Sequence, residues 1–508
     1  MDPKYFPIEI EEKWSKIWAQ RSLDRSKAKN RFSQIIPPPN VTGTLHMGHS
    51  FQYAIMDFYT RYHHMNGSDS YWQVGTDHAG IATQMVVENN LANEGKTKDE
   101  LGRDKFIEEV WKWKDFSEEK ISSQMKRLGI TVDWNKYRFT LDDEYYQGVI
   151  KAFVELYRKD KIYQGYRLVN WDPSLKTAVS DLEVIRQEKD GLIWHIAYPV
   201  EDSQDKLIVA TTRPETMFGD MAVAVNPKDS RYKKFIGQYI ILPFVGRKIP
   251  IIGDEYVDME FGTGCLKITP GHDFNDYEIG KKFALHEIDG VVHTSEKLED
   301  FAPLNIFTDT AHTNDNVPQQ FQDLDPISVP RGERSNIVIE PRLSYQWYVK
   351  TADMAKKANA AVNKGEVKFH PNNWIKTYFN WMDNIQDWCI SRQIWWGHRI
   401  PAWQDAEGNT YVGFDEEEVR SFYKLDNRKL NQVEDVLDTW FSSSLWSFGS
   451  LGWPNNTDGV ERYFPTSLLV TGFDIIFFWV ARMMMMSLEF TGQIPFKDVY
   501  VTGLIRDE

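Results

Sequence analysis

Apolar residues recur at helical spacing over 8–21 with charged residues between them, which predicts an amphipathic helix at the start of the chain. A short apolar run, 32–36, then stops against three prolines. Helical spacing resumes over 50–65, and a second β-like run, 70–74, leads into Gly75-Thr76-Asp77-His78-Ala79-Gly80. Helical patterns also cover 97–126 and 143–158. Strands alternating with helices predict an α/β fold built on a parallel sheet. From about Leu192 the texture changes to short apolar runs at 193–200, 206–212, 221–225, 239–245, 249–253 and 264–270, separated by glycine, proline and charge. That spacing predicts a compact β-rich module inserted into the α/β domain, with its far edge near Val329-Pro330-Arg331-Gly332. After Ile337 the α/β pattern returns, with a strand at 467–472, a helix from Phe473 to about Phe490 and a strand at 499–504.

A chain of 508 residues exceeds one ordinary domain. Its net charge of −15 argues against a general nucleic-acid binder, although a local basic strip would suffice for a specific one. Two cysteines, Cys265 and Cys389, exclude a disulfide framework and fit a reducing cytoplasm. The charged first residues lack the apolar core of a signal peptide. The most apolar stretch, 475–486, is interrupted by Arg482 and falls short of the roughly 20 residues that span a bilayer. A soluble, cytoplasmic protein with no membrane partner is expected.

The chemistry concentrates in Pro37-Pro38-Pro39-Asn40-Val41-Thr42-Gly43-Thr44-Leu45-His46-Met47-Gly48-His49. A strand, a tight bend and a helix start aim backbone N–H groups and a helix dipole at an anion. Gly48 lets a flat ligand approach the backbone. His46 and His49 share one face of the first turn and are placed to donate to phosphate oxygens. Taken alone, two such histidines favour the plainer reading, a metal pair or a helix cap. The thirteen-residue string resembles the His-Ile-Gly-His element of class I aminoacyl-tRNA synthetases, in the form carried by valyl-tRNA synthetases. The proline-rich lead-in separates these from their isoleucine and leucine relatives.

The resemblance implies a Rossmann-type catalytic domain split by an inserted editing domain: 1–190 and 333–508 as its two halves, 191–332 as the insertion. It implies that valine and ATP, with Mg2+ on the phosphates, form valyl-adenylate, and that valine then passes to the tRNA for valine. ATP would lie on His46, Gly48, His49, Gly472 and Asp474. Valine's ammonium would meet Asp77, beside the backbone of Pro38 and Asn40. Its isopropyl group would lie between Trp440, Ile475 and Trp479. Arg392, Trp395 and Trp396 match the family as scaffold. A monomer is expected.

Two strings inside the insertion resemble the editing domain, Ala210-Thr211-Thr212-Arg213-Pro214-Glu215-Thr216 and the run from Gly262 to Asp276. An apolar pocket rejects an added hydroxyl poorly, by about a hundredfold, and this family is itself the known example. A second, polar site must then read the hydroxyl. By resemblance Lys267, Thr269 and Asp273 recognise it, Asp276 holds the α-ammonium, and Arg213 and Thr216 lie near the tRNA terminus. No Ser–His or Cys–His pair is evident, so a positioned water is expected to attack the ester.

Some family features are missing. No cysteine stands near Val169-Asn170-Trp171-Asp172-Pro173-Ser174, where several members hold zinc, and no structural zinc is expected. The connection from Leu285 to Asp325 follows the family poorly and is expected to be deleted or divergent. Val499 to Glu508 matches what precedes the family's Lys-Met-Ser-Lys-Ser loop, so the chain is expected to be truncated, without the loop or an anticodon-binding domain. A stand-alone aminoacyl-tRNA deacylase and a non-catalytic tRNA- or amino-acid-binding paralogue are the alternatives. Intact His46, His49, Asp77, Trp440 and Asp474 argue against both.

Overall fold

The computed structural model describes residues 6–19, 28–285, 323–425 and 427–505. The chain forms two compact units, Met1–Tyr163 with Trp347–Glu508, and Gln164–Gln346.

The first unit is built on five strands: β1 (Arg31–Ile35), β2 (Asp69–Gln73), β3 (Lys368–His370), β4 (Thr466–Gly472) and β5 (Phe496–Thr502), in the order β3-β5-β4-β1-β2. Every pairing is parallel, with Phe32 opposite Ser70 and Ile35 opposite Leu469. The winding runs one way from β1 to β2 and the other way from β4 to β5. The strand order therefore reverses between β1 and β4, where α/β sheets of this kind open a crevice beyond their carboxyl ends. Helix α1 (Met47–Met65) makes the crossover from β1 to β2. It buries Tyr53 and Met56 in a core shared with Ile35, Ile36, Trp72, Leu469, Val470 and Val499.

Two helical expectations need correction. The pattern over 97–126 is two helices, Lys98–Leu101 and Arg103–Leu128. Thr97 and Glu100 close a capping box on the first, and Gly102, at φ +75, breaks the path before the second. The segment after β4 is not one regular α-helix. It begins as a 3₁₀ turn, Phe473–Ile475, widens into a π segment, Ile476–Ala481, and becomes α-helical at Arg482–Phe490. Such π segments are rare and recur at functional sites.

The second unit is β-rich. The long strand Val184–Pro199 pairs antiparallel with Asp323–Gly332 along its first part and with Lys206–Thr211 along its last. A four-stranded sheet runs in the order Tyr239–Ile241, Lys248–Gly253, Ala222–Val225, Cys265–Ile268. Their alternating apolar positions close a core of Tyr198, Leu207, Val209, Val223, Val225, Ile240, Ile249 and Ile251. The expected divergence between Leu285 and Asp325 lies almost wholly outside the described residues.

Candidate functional site

In the first unit the expected synthetic residues follow the carboxyl ends of β1, β2 and β4, except Trp440, which lies in the helix Thr439–Ser443 after the short strand Val436–Leu437. His46 is the N-cap of α1, and it and His49 form a reciprocal capping box. The Gly48 amide donates to His46 Nδ1 at 3.1 Å, and the His46 amide donates to His49 Nδ1 at 3.2 Å. A ring that accepts at Nδ1 carries its proton on Nε2, so each histidine keeps an outward donor. Burial, reinforced by His46, brings the His49 pKa down to about 4, so this ring is neutral at physiological pH. Capping and phosphate donation are therefore compatible uses of one motif. Gly48 has a reason beyond ligand access: a Cβ there would stand 2.9 Å from His46 Cε1.

Asp77 follows β2 and is buried. Its amide donates to Pro39 O at 3.0 Å and its carbonyl accepts from Val41 N at 3.1 Å, which ties it to the 37–41 backbone. Asn40 and Asp77 form a parallel bridge, so Pro38 and Asn40 do lie alongside it. Oδ1 accepts from Ala79 N at 2.6 Å and Thr439 Oγ1 at 2.8 Å, and Oδ2 accepts from Ser443 Oγ at 2.6 Å. One ionisable neighbour is His78, 3.7 Å away, whose pKa is lowered by burial. Another is the buried Tyr145, whose pKa burial and then Asp77 raise. Three neutral donors thus hold a buried carboxylate beside a histidine that burial keeps neutral. An ammonium is the natural complement for such a group.

Apolar side chains stand next to it. Trp479 is buried and its indole donates to Ser443 O at 3.1 Å, so Ser443 joins the carboxylate to the tryptophan. Trp440, half-buried, stacks on Phe478 at 4.8 Å. Ile475 is half-buried at the junction of the 3₁₀ and π segments. Gly472 ends β4, and Asp474 is exposed two residues later. Near them, Gln52 of α1 donates to Thr502 Oγ1 at 3.2 Å, linking α1 to the end of β5.

Arg392, Trp395 and Trp396 serve the frame. Arg392 lies 3.1 Å from Asp438 and donates to the Cys389 and Ser391 carbonyls. The Trp395 and Trp396 amides both donate to Gln84 Oε1, and the Trp396 indole donates to His78 O. Sequence reasoning passed over Thr439 and Ser443. Their signal was a cluster of hydroxyls, Thr439 and Ser442 to Ser444, within an otherwise apolar stretch.

The second unit brings several expected editing residues together. Lys267 and Thr269 are buried at the end of strand Cys265–Ile268. Thr269 N donates to Asp276 Oδ2 at 2.8 Å. Asp276, in the first turn of helix Phe274–Lys282, has its carboxyl pushed up to about 7, first by burial and then by Asp273. Asp273 is exposed and caps this helix, accepting from Asn275 N and Asp276 N. Arg213 opens the 3₁₀ turn Pro214–Gly219 and is paired with Glu215 and Glu340. Thr216 spends its hydroxyl on Arg213 O at 2.8 Å. Asp220, at the end of that turn, was missed by sequence reasoning. It accepts from Lys267 Nζ at 2.9 Å, Thr269 Oγ1 at 2.7 Å and Tyr198 Oη at 2.5 Å. A lone acid between Gly219 and the apolar run 221–225 was the available signal.

A family model described as tRNA synthetases class I (I, L, M and V) matches residues 9–508. A valine–tRNA ligase of Legionella pneumophila (strain Lens) is 54% identical over 533 residues, and one of Francisella tularensis (strain SCHU S4) is 51% identical over 535. All of this chain is matched in both cases, but it spans only 56% of the length of either relative. Among solved structures, the ternary complex of LeuRS from Agrobacterium radiobacter K84 with tRNA and LeuAMS shares the fold. Its TM-score is 0.53 at 17% identity, covering 99% of this chain and 68% of that one.

Proposed function

The chain belongs to the class I tRNA synthetases of the I, L, M and V group, and from that premise we propose that it activates valine with ATP for transfer to the tRNA for valine and hydrolyses threonyl esters formed in error. The observation that carries the first activity is Asp77, a buried carboxylate held by Ala79 N, Thr439 and Ser443 next to Trp479. It pairs with valine's ammonium while Trp440, Ile475 and Trp479 enclose the isopropyl group.

Valine's carboxylate oxygen then bonds to the α-phosphorus of ATP, and the bond from that phosphorus to the pyrophosphate oxygen breaks. The Nε2–H groups of His46 and His49 donate to phosphate oxygens, which stabilises charge as it develops. Mg2+ arrives with ATP as part of the substrate. The ribose lies toward Gly472 and Asp474. Transfer to the 3′ hydroxyl of the tRNA completes the synthetic cycle.

In the second unit Lys267, Thr269 and Asp273 read the threonine hydroxyl, Asp276 holds the α-ammonium, and Arg213 and Thr216 border the tRNA end. A water held in that polar pocket attacks the ester carbonyl. Two free cysteines, one of them buried, support a cytoplasmic setting.

Calorimetric titration with valine and isoleucine tests the synthetic site. Valine should bind and isoleucine should bind roughly a hundredfold more weakly, the reach of one methylene. Equal affinities would reject the pocket assignment. Release of threonine from threonyl-tRNA for valine should outpace release of valine from the correct ester, and equal rates would reject the hydrolytic assignment.

A further inference from the structure

The second unit contains a fully buried carboxylate to which the reading above gives no role. Asp220 Oδ1 lies 2.9 Å from Lys267 Nζ and 2.7 Å from Thr269 Oγ1, and Oδ2 lies 2.5 Å from Tyr198 Oη. Its backbone is pinned too. The Asp220 carbonyl accepts from Arg247 at 2.6 Å, and the Met221 amide donates to Ile268 O at 2.8 Å. The carboxylate is thus fixed beside the residues expected to read a hydroxyl.

The directions of these bonds matter. Burial raises the Asp220 pKa, while the Lys267 ammonium and the three hydrogen bonds that Asp220 accepts act against that rise. An ionised Asp220 only accepts, so Thr269 then spends its hydroxyl hydrogen on it. Thr269 Oγ1 also accepts from Lys267 Nζ. What Thr269 then presents to a ligand is a lone pair and no hydrogen. Lys267 has three N–H bonds. One meets Asp220, one meets Thr269, and among the described residues no third partner is present. The pair therefore offers one donor and one acceptor side by side. A hydroxyl requires both, whereas a methyl group satisfies neither and leaves them unpaired.

We infer that Asp220 is a positioning residue which fixes Lys267 as donor and Thr269 as acceptor toward a substrate hydroxyl, and so sets the preference for threonyl over valyl esters. This deepens the hydrolytic reading and rests on it. Asp220 has a second consequence. By pairing with the Lys267 ammonium inside the protein it keeps that cation from neutralising Asp276, the carboxylate needed for the substrate's ammonium. The charged and titratable groups facing Asp276 are Asp273 on its own helix, Lys267 and Asp220 from the neighbouring strand and turn, and Tyr256.

The test compares the unmutated chain with Asp220→Asn and Asp220→Glu, after circular dichroism has shown that each is folded. The first readout is the ratio of hydrolysis rates on threonyl- and valyl-tRNA for valine. The second is the titration midpoint of the Asp276 carboxyl, followed by carbon-detected NMR. Asp220→Asn should cut the threonyl preference at least ~10-fold, as expected when buried groups lose their hydrogen-bond polarity. It should also lower the Asp276 midpoint by roughly half a pH unit or more, because a repelling charge is gone and Lys267 is released toward Asp276. A merely structural residue would not move that midpoint. Asp220→Glu keeps the charge, so the midpoint should stay while the longer side chain displaces Lys267 and selectivity falls. A threonyl-selective parent whose Asn variant keeps both selectivity and midpoint overturns the inference about Asp220 alone. A parent with no threonyl preference overturns the hydrolytic reading, and the inference with it. If Asp220→Asn does not fold, the Glu variant decides: selectivity at the parent's level overturns the inference.

Discussion

Asp276→Asn separates the charge of this carboxyl from its shape. The amide oxygen still accepts from Thr269 N, so the backbone anchor at 2.8 Å is kept. What disappears is an acid whose pKa burial and Asp273 push up to about 7. One pH unit below that value about one carboxyl in eleven is ionised, and one unit above about ten in eleven. Threonyl ester hydrolysis by the parent should therefore rise about fivefold between pH 6 and pH 8 if the ionised form holds the ammonium, an about tenfold gain in carboxylate halved by loss of the ester's own ammonium near pH 8. The ester's own α-amino group loses its proton around pH 8, so the rate should fall again above that and give a bell. In Asp276→Asn the acidic limb should vanish and the plateau should drop to the parent's low-pH rate or below. Stability moves the opposite way. The folded pKa lies above the unfolded value of 3.8, so the carboxyl's contribution is fully present below pH 3.8 and is lost as pH rises through about 7. Three units correspond to about 4 kcal/mol, at ~1.4 kcal/mol each. The Asn variant should thus resist urea better than the parent at pH 8 and about equally at pH 4. Single-turnover hydrolysis across pH 5–9, with urea unfolding at both pH values, checks both halves. An acidic limb that persists in the variant, or a variant less stable than the parent at pH 8, would refute the reasoning.

Three further outcomes are expected in the first unit. Asp77→Asn should weaken valine binding in calorimetry at least ~100-fold, since breaking a buried pair costs about 3–5 kcal/mol, while the far-ultraviolet dichroism is unchanged; unaltered affinity would reject the ammonium assignment. Ser443→Ala removes one donor from Asp77 but leaves its carbonyl for Trp479, so valine affinity should fall about 5–10-fold with little change in indole fluorescence. His49→Asn should leave valine affinity within about twofold and reduce valine-dependent pyrophosphate exchange about 100-fold, the usual cost of a transition-state donor. An equal loss in both measurements would place His49 on the amino acid rather than on the phosphates.

Much of the local order was legible in the chain itself. Strands buried on both faces are rich in apolar residues, so 32–36, 70–74, 467–472 and, with its bounds shifted to Phe496–Thr502, 499–504 stood out even though Ser33, Gln34, Ser70 and Gln73 are buried among them. Asp143–Arg158 did so as well, because its apolar positions fall on one helical face. The motif from Pro37 to His49 pointed to an anion at a helix start because glycine and capping side chains act over three or four residues. Local chemistry of that range is written directly in sequence.

Only the tertiary structure decided what depends on residues far apart in the chain. That Asp77 is held by Thr439 and Ser443 follows from packing two halves of one sheet around a common crevice, across more than 360 positions. The 3₁₀ and π turns after Phe473, which carry Ile475 and Trp479, are also something helical periodicity cannot express. Asp220 became visible only when Tyr198, from the end of one strand, and Lys267 and Thr269, from the end of another, converged on it. The near-neutral pKa of Asp276 is likewise a property of its burial. Desolvation and the field of neighbouring charges are set by where the whole chain puts its atoms, and no single stretch of sequence contains them.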